Sequence, residues 1–277
     1  MPELPEVETI THQLNKRLKG KTIKSINVLL PKLVKLSLKR FKKIAGGAEI
    51  KNVRRRGKLI LIELANGYIL IIHLKLSGQL IYQSRTKTNP ALGKHTHLVY
   101  YFTDKSRLLH NDLRQFGFVK LISKSDLNKF LEKEKLGPEP LDKKFNLQVF
   151  RKLLARRRKS KIKTLLMDQS FVVGIGNIYA NEILFFARVL PVRTVDSLKP
   201  DEVKKIYKGI KKILLLAIKK RGTSDRDYLD ASGQKGKFKS LLKVYGREGE
   251  PCLICKRKIK RIKMGGRSSF FCDKCQK

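Results

Sequence analysis

Acidic residues are scarce in this chain. Asp and Glu number 23 against 64 Lys and Arg, which leaves a formal net charge of +41 over 277 residues. A folded chain with this excess is expected to bind a polyanion, because closely spaced phosphates attract Lys and Arg and release counterions on binding. Nucleic acid is therefore the leading partner. A lysine-rich composition shared by all proteins of the source organism is the alternative for part of the excess.

Long apolar runs are also missing. The longest, near residues 68–72 and 213–218, are far shorter than the roughly 20 residues that a membrane-spanning helix needs. Glu3, Glu6 and Glu8 stand where a secretory leader would be basic and then apolar. The sequence thus predicts a cytosolic protein with no membrane partner. Its hydrophobic content of 41% is too high for a disordered basic tail.

Two kinds of hydrophobic pattern divide the chain. Apolar residues recur every three or four positions from Val7 to Leu18, which predicts an N-terminal helix. Apolar, β-branched runs joined by Asn66-Gly67 then predict a hairpin within a β-rich region that extends to about residue 124. Further along the periodicity is helical, except in residues 221–239, which are typical of a long functional loop.

These patterns predict an α+β fold with four parts. Residues 1–134 form a two-layer β-sandwich capped by the N-terminal helix. Residues 135–145 are a linker rich in Pro and Gly, and residues 146–243 form a helical domain that includes the loop 221–239. The last segment, 244–277, holds all the cysteines.

The four cysteines form two Cys-x-x-Cys pairs, Cys252 with Cys255 and Cys272 with Cys275, separated by 16 residues. Each pair can present two thiolates to one metal, and the stretch between them is long enough for a hairpin. Four thiolates fill the tetrahedral shell of Zn²⁺ and leave no open position, so we expect one structural ion. Disulfides are the alternative, which a cytosolic setting disfavours.

A glycine-rich turn, Gly174-Ile175-Gly176-Asn177, precedes a predicted helix. Its glycines allow close backbone approach, and a helix start offers free N–H groups with positive polarity, which together suit a phosphate. Asn177 is predicted as the N-cap and as an additional donor. The upstream Lys159, Lys161 and Lys163 favour this interpretation. An ordinary corner between two helices is the alternative.

The second residue has a chemistry of its own once Met1 is removed. The Pro2 nitrogen is then a secondary amine, and because an α-amino group titrates at about 8, a useful fraction of it is neutral. Attack of this amine on a sugar C1′ gives an iminium, the Schiff-base route to covalent catalysis. Glu3 lies beside it as a candidate acid or base. The alternative is that both residues only begin a helix.

Further motifs accompany these features in a fixed order. They are Pro2-Glu3-Leu4-Pro5-Glu6-Val7-Glu8-Thr9, Gly57-Lys58, His73-Leu74-Lys75-Leu76-Ser77-Gly78, Asp112-Leu113-Arg114-Gln115-Phe116-Gly117, residues 174–182, Val244-Tyr245-Gly246-Arg247 and the cysteine pairs. Together they resemble the bacterial formamidopyrimidine-DNA glycosylases over essentially the whole chain. The resemblance implies a helix-two-turn-helix domain over 146–243, a loop 221–239 that covers the lesion, and a Cys₄ zinc-finger β-hairpin.

The resemblance also implies an activity. It is that of a bifunctional enzyme of base-excision repair, which removes oxidised purines (8-oxoguanine, formamidopyrimidines) from duplex DNA and cuts the abasic strand by β,δ-elimination. In this scheme Pro2 is the nucleophile and Glu3 protonates the sugar ring. Lys58 is the proton donor for β-elimination, and Arg267 on the finger assists δ-elimination and clamps a phosphate.

A set of DNA-binding residues follows from the same resemblance. The chemistry requires a flipped nucleotide, because C1′ is shielded inside a duplex. Arg114 is expected to pair with the orphaned base, Phe116 to wedge beside it, and Asn177 to grip phosphates at the lesion. The full set is His73, Leu76, His97, Arg114, Phe116, Lys159 and Asn177. Apart from the resemblance, a strand-packed His97 and a solvated Lys58 or Lys159 are the simpler interpretations.

Two positions depart from the family pattern. Leu76 stands where the family commonly has Met, and we expect insertion to survive because leucine is apolar and of similar volume. Asp225 stands where many relatives carry an apolar residue, which bears on the recognition of 8-oxoguanine.

Two alternatives for the function stay open at this point. One is the endonuclease VIII branch of the superfamily, which prefers oxidised pyrimidines; the start at Pro2 and the Arg114-Gln115-Phe116 motif favour the purine enzyme. The other is a non-enzymatic zinc-finger protein that binds nucleic acid. For the leading interpretation we expect a monomer in the bacterial cytosol that binds damaged double-stranded DNA, holds one Zn²⁺ and needs no small-molecule cofactor.

Overall fold

A computed structural model describes residues 1–85 and 91–277 of the chain. These residues divide into two compact units. The N-terminal unit consists of Met1–Glu134 together with Lys220–Lys239, and the C-terminal unit consists of Lys135–Lys219 together with Ser240–Lys277. Every helix in the described part of the chain is too short or too polar to cross a bilayer.

The N-terminal unit contains two four-stranded antiparallel sheets, which confirms the predicted β-sandwich. One sheet has the strand order β1-β6-β7-β5 and the other has the order β2-β3-β4-β8. The strands are β1 (Ile23–Val28), β2 (Ile50–Arg56), β3 (Leu59–Leu64), β4 (Tyr68–His73), β5 (Gly78–Gln83), β6 (Thr96–Phe102), β7 (Arg107–Asp112) and β8 (Phe118–Ser123). The helices are α1 (Leu4–Leu18), α2 (Leu38–Ala45) and α3 (Leu127–Lys133).

The hydrophobic spacing of α1 explains its packing. Val7, Ile10, Leu14 and Leu18 recur at three and four residues, so they lie on one face of the helix, and all four are fully buried. They share one core with inward-facing residues of both sheets, such as Leu80 of β5. Burial of a large aliphatic side chain stabilises a fold by about 1.5–3 kcal/mol. The helix that starts with the Pro-Glu motif is therefore anchored along its length.

The predicted hairpin at Asn66-Gly67 is present. It joins β3 to β4, which pair antiparallel from Leu59 opposite His73. Gly67 has a φ of +81°, a left-handed conformation that glycine adopts without a steric cost. This turn chemistry explains why the hairpin was visible in the sequence.

The C-terminal unit is built around one central helix. The helices are α4 (Leu147–Ala155), α5 (Ile162–Met167), α6 (Asn177–Ala187) and α7 (Pro200–Lys219), and the two strands of the terminal hairpin are β9 (Lys260–Met264) and β10 (Arg267–Phe271). Nearly every residue of α6 is buried, and α6 contacts α5, α7 and β10. One prediction was wrong in detail. Gly176 is the N-cap of α6, and Asn177 is its first residue.

A buried carboxylate connects α6 to the chain that leads into the hairpin. Glu182 is 2% exposed and accepts the backbone N–H groups of Lys243, Val244 and Tyr245 at 2.9–3.0 Å. Burial raises the pKa of Glu182, while the three amide donors and the charge of Lys243 oppose that rise. These bonds satisfy backbone groups that would otherwise be left unpaired in the interior.

A histidine in the N-terminal sandwich is buried without a polar partner. His110 of β7 is fully buried, and neither of its ring nitrogens has a hydrogen-bond partner among the described residues. Burial lowers the pKa of His110 to about 4; the Asp112 carboxylate opposes that shift and His97 adds to it. The ring is therefore neutral in the folded protein at physiological pH.

This shift predicts an acid-sensitive stability. In the unfolded chain His110 takes up a proton below about pH 6.5, whereas the folded protein binds it only near pH 4, so protonation favours unfolding as the pH falls through that window. Between pH 7 and pH 5 we expect His110 to lower the free energy of unfolding by about 2 kcal/mol. Urea titrations of the wild type and of His110→Leu at both pH values test this. Equal pH dependence in the two proteins would contradict it.

Candidate active site and nucleic-acid interface

The N-terminal Pro-Glu pair is held in place by the start of α1. Pro2 and Glu3 are both buried, and Glu3 is the N-cap of the helix. The Glu3 amide donates to Glu6 Oε2 at 2.8 Å, and the Glu6 amide donates back to the Glu3 side chain, which forms a reciprocal capping box. The Glu3 carboxylate is thus fixed next to Pro2, at the positive end of the helix dipole.

Glu6 also ties the start of the chain to the loop 221–239. Its second oxygen, Oε1, accepts the amide of Thr223 at 2.7 Å, and both residues are buried. At Gly222, which has a φ of +78°, a Cβ atom would lie 2.6 Å from Glu6 Oε1, so only glycine allows this approach. The sequence analysis missed this role because the two partners are 217 positions apart.

The remainder of the loop is also hydrogen-bonded to side chains of α1, and an ion pair within the loop supports it. Gln13 accepts the amide of Ala231 at 2.8 Å and donates to Asp230 at 3.1 Å. Arg221 forms an ion pair of 3.0 Å with the same Asp230, whose carboxylate is fully buried. The loop 221–239 therefore lies within the N-terminal unit, against the helix that carries the Pro-Glu pair.

Lys58 and His73 lie close together in the N-terminal unit. Lys58 follows Gly57 in the turn between β2 and β3 and is 8% exposed, and His73 ends β4. Burial, together with the charges of Lys75 and Lys58, lowers the pKa of His73 to about 3. His73 Nδ1 accepts the amide of Lys75 at 2.9 Å. His73 is therefore a neutral ring beside two cations, and Lys58 is not the solvated surface lysine of the simpler interpretation.

The exposed segment 113–116 has the form expected of a wedge. Phe116 is 56% exposed, and the guanidinium of Arg114 lies 5.1 Å from the centre of its ring. Gln115 between them has a φ of +56°, which turns the chain sharply. Leu76 is half-buried in the neighbouring loop. Large apolar groups exposed at a tight turn are available to enter a stack of bases.

His97 differs from the other predicted contacts because it is packed into the sandwich. It lies on β6, is 7% exposed, and its Nε2 is 2.9 Å from the carbonyl oxygen of Asp112. Its ring thus supports the strand end from which the segment 113–116 begins. A role toward DNA stays a prediction for this residue.

In the C-terminal unit, a buried lysine joins the glycine turn to the hairpin. Lys163 of α5 is 1% exposed. Its Nζ donates to Asn177 Oδ1 at 2.6 Å, to the carbonyl oxygen of Ser268 at 3.0 Å and to Ser269 Oγ at 2.8 Å. Because the amide oxygen of Asn177 accepts from this ammonium group, the NH₂ group is the part of its side chain that can donate to a ligand. Arg267 immediately precedes Ser268 on β10.

The sequence analysis counted Lys163 only as part of a basic stretch. Its role is structural, whereas Lys159 in the turn after α4 is exposed, as expected of a lysine that contacts phosphates. The signal that was available is the position of Lys163 between Ile162 and Leu165, both buried in the same short helix. A lysine within an apolar helix turn is costly to bury unless its charge is satisfied.

We expect Lys163→Met to impair DNA binding severely while preserving the zinc finger. The substitution removes three charge-assisted hydrogen bonds from a buried site and releases both Asn177 and the strand that begins at Arg267. Loss of a buried charged donor costs about 1.5–3 kcal/mol per bond, so a drop in affinity of at least roughly 10-fold is expected. Fluorescence anisotropy with an abasic-site duplex measures it, and Lys208→Met, which changes an exposed lysine of α7 in the same unit, is the control. An equal loss in both variants would contradict the role of Lys163.

The four cysteines converge on one point. All are free thiols, and their Sγ atoms lie within 4.8 Å of one another. Cys252 and Cys275 are separated by 3.9 Å between sulfurs, and Cys255 and Cys272 by 3.4 Å. Four sulfurs at about 2.3 Å from a tetrahedral Zn²⁺ are about 3.8 Å apart, so this cluster fits the ion. A closed shell of four thiolates makes the zinc structural.

The cluster is attached to the helical unit by packing and by side-chain bonds. Cys252 and Cys272 belong to a small core with Phe185, Val244 and Phe270. The Asn181 side chain accepts the Phe270 amide at 2.7 Å, and Gln276 joins the second cysteine pair to the carbonyl oxygen of Val189 at 2.7 Å. The metal therefore fixes a hairpin that also has defined contacts with α6.

Comparison with known proteins gives matches along nearly the whole chain. Residues 1–119 match the model of the formamidopyrimidine-DNA glycosylase N-terminal domain, residues 136–228 match its H2TH domain, and residues 249–277 match the zinc finger found in FPG and IleRS. Formamidopyrimidine-DNA glycosylases from Pelotomaculum thermopropionicum and Heliobacterium modesticaldum are 42% and 43% identical over all of this chain, which covers 99% and 100% of those proteins.

Solved structures agree with these matches. The complex of Lactococcus lactis Fpg with DNA containing an abasic site has a TM-score of 0.92 at 36% identity, and 99% of each chain is covered. The complex of wild-type Lactococcus lactis Fpg with DNA containing N7-benzyl-Fapy-dG has a TM-score of 0.91 at 36% identity, also over 99% of each chain. Fold and site therefore define a zinc-containing DNA glycosylase of base-excision repair. The chain belongs to the formamidopyrimidine-DNA glycosylase family, whose members remove oxidised purines and cleave the resulting abasic strand.

Proposed function

We propose that this enzyme removes oxidised purines from duplex DNA with Pro2 as the nucleophile. After removal of Met1, the lone pair of the Pro2 amine attacks C1′ of the damaged nucleoside, the C1′–N bond to the base breaks, and the proton of the amine passes to the departing base. The carboxyl of Glu3 then donates a proton to the ring oxygen as the C1′–O bond breaks, and the nitrogen lone pair forms an iminium with C1′. The observation that carries this proposal is the capping box, which fixes the Glu3 carboxylate next to Pro2 at a buried helix start.

The strand is then cut by elimination from the iminium. We propose that Lys58, buried in the turn after β2, handles the proton transfers of β-elimination. The low pKa of His73, about 3, keeps its ring neutral, so it neither repels that lysine nor consumes its proton. Arg267 is proposed to assist the second elimination as a phosphate clamp.

We propose that binding of the damaged duplex uses residues of both units. Asn177, oriented by Lys163, and the exposed Lys159 are assigned to phosphates of the duplex. His73 and His97 support the two loops that carry Leu76, Arg114 and Phe116, which fill the place of the extruded base. The loop 221–239, anchored to Glu6, is proposed to cover that base.

The lesion class is tested by nicking assays on matched duplexes. One carries 8-oxoguanine opposite cytosine, one carries a formamidopyrimidine and one carries thymine glycol. We expect both purine lesions to be cut faster than the pyrimidine lesion. A preference for thymine glycol would instead identify an enzyme for oxidised pyrimidines. We also propose that the enzyme is a cytoplasmic monomer, because its substrate is the bacterial chromosome and its proposed residues all come from one chain.

A further inference from the structure

One buried carboxylate connects the two loops that carry the proposed void-filling residues. Asp112 ends β7 and is fully buried. Its Oδ1 accepts the hydroxyl of Ser77 at 2.6 Å and the amide of Arg114 at 3.3 Å. Its Oδ2 accepts the amide of Gly117 at 2.8 Å. The carboxylate is therefore bonded on both sides of the exposed segment 113–116 and also to the loop that carries Leu76.

Ser77 is the link between the two loops. Its hydroxyl donates to Asp112 and at the same time accepts the Arg114 amide at 2.9 Å, which is a shorter bond than the one from that amide to the carboxylate. Ser77 is 4% exposed and directly follows Leu76 in the chain. A shift of Ser77 would therefore move the backbone of Leu76 and of Arg114 together. Hydrogen bonds to a buried carboxylate are among the stronger ones in a protein.

The far end of the segment is equally constrained. A Cβ atom at Gly117 would lie 3.0 Å from Asp112 Oδ2 and 3.1 Å from the carbonyl oxygen of His73, so glycine allows the chain to close on the carboxylate. Only the four residues between these anchors, 113–116, are exposed. A short exposed segment with both ends fixed keeps its tip rigid, and rigidity is what precise contact with an orphaned base requires.

We propose that Ser77 and Asp112 are positioning residues for base extrusion. They hold Leu76, Arg114 and Phe116 in the one arrangement that fills the vacated place in the stack and contacts the base opposite the lesion. This inference rests on the function proposed above, because it presupposes those roles for the three residues. Ser77 and Asp112 touch no reacting atom in this scheme; they act through the backbone to which they are bonded.

The proposal predicts a split between two activities of Ser77→Ala. Base excision from an 8-oxoguanine:cytosine duplex requires extrusion and should fall roughly 10-fold or more, the effect of two lost buried hydrogen bonds. Cleavage of a duplex with a preformed abasic site has no damaged base to extrude, so it should change less than twofold. The preference for cytosine over adenine opposite the lesion should fall with excision. Asp112→Asn replaces one acceptor oxygen by an NH₂ donor. It should lower excision and the preference for cytosine more than Ser77→Ala does.

A matched control distinguishes positioning from general stability. Ser106 is 2% exposed in the turn between β6 and β7, and its hydroxyl donates to Asp104 Oδ1 at 2.6 Å, so Ser106→Ala removes a hydroxyl–carboxylate bond of the same length elsewhere in the same unit. We expect it to leave excision and base preference unchanged. Ser77→Thr retains the hydroxyl that makes both hydrogen bonds, so we expect it to restore the wild-type ratio of excision to abasic-site cleavage.

The outcomes separate this inference from the proposed function. A wild-type protein that neither excises nor cleaves would refute the function. If the wild type is active but Ser77→Ala has the same excision and abasic-cleavage rates as Ser106→Ala, the positioning role alone is refuted. The same would follow if Ser77→Thr were as defective as Ser77→Ala, with melting temperatures showing that both variants are folded.

Discussion

Pro2→Gly is expected to abolish most of the covalent trapping of this enzyme on damaged DNA. Borohydride reduces the iminium between enzyme and sugar to a stable amine, so the amount of trapped complex reports how much iminium forms on the N-terminal nitrogen. Glycine replaces the secondary amine by a primary one and removes the ring that holds it at the helix start. We expect trapping and excision to fall by at least about 100-fold, since changing and mispositioning a nucleophile is among the largest single-residue effects on an enzyme.

Two companion variants make this result specific. Pro5→Gly makes the same change within the first turn of α1, where Pro5 is also buried, and should leave trapping on an abasic duplex intact. Glu3→Gln retains an oxygen for the capping box but loses the acid. It should slow base excision by roughly 10²- to 10⁴-fold while still trapping a preformed abasic aldehyde.

The proposed chemistry fails under one clear result. Intact mass reports whether Met1 has been removed, and a protein that retains Met1 yet is trapped at the full wild-type rate would exclude the Pro2 nitrogen, because an amide nitrogen does not attack C1′. Equal trapping by Pro2→Gly and the wild type would show that the proline ring is not required, because the glycine variant retains a primary amine at the same position.

Local patterns predicted much of the fold. The N-terminal helix α1 and the strands around Asn66-Gly67 lie at the expected positions, and the helices α4, α5, α6 and α7 all lie beyond the β-rich region, where the periodicity is helical. The helix α2 was missed because four of its eight residues are Lys or Arg and only Phe41 and Ala45 are buried, so its apolar period is too short to detect. The strand β5 was missed for a similar reason: it begins on Gly78 and buries few apolar side chains.

In the candidate site, residues that act through neighbouring positions could be predicted from the sequence, and residues that act through distant positions could not. Residues that belong to compact motifs, such as Pro2 with Glu3 or the cysteine pairs, could be identified because neighbouring positions define their chemistry. Lys163 and Glu6 could not, because each acts on residues far along the chain: Ser269 lies 106 positions from Lys163, and Thr223 lies 217 positions from Glu6. Such partners become visible only when the fold brings them together.

Removal of zinc is expected to eliminate tight DNA binding while the N-terminal unit stays folded. The hairpin 244–277 has only a small apolar core, in which Cys252 and Cys272 are themselves members, so the thiolates supply most of its stability. Structural zinc contributes about 10–16 kcal/mol in isolated fingers, far more than that core can replace. When the hairpin loosens, Ser268 and Ser269 no longer hold Lys163, and Asn177 is released with it.

Because the contacts from the zinc hairpin reach Lys163 and Asn177, loss of zinc should weaken DNA binding more than it slows base excision. Chelated protein, or Cys255→Ser, should show a large rise in the Kd for an abasic duplex by anisotropy, and therefore in KM. The rate of base excision at saturating DNA should change far less, because Pro2, Glu3 and Lys58 all lie in the N-terminal unit, whose hydrophobic core contains no cysteine. Native mass spectrometry counts the zinc, and adding it back should restore affinity. Metal-free protein that binds the duplex as tightly as the zinc form would show that the finger folds without its ion and that the link from zinc to Asn177 is wrong.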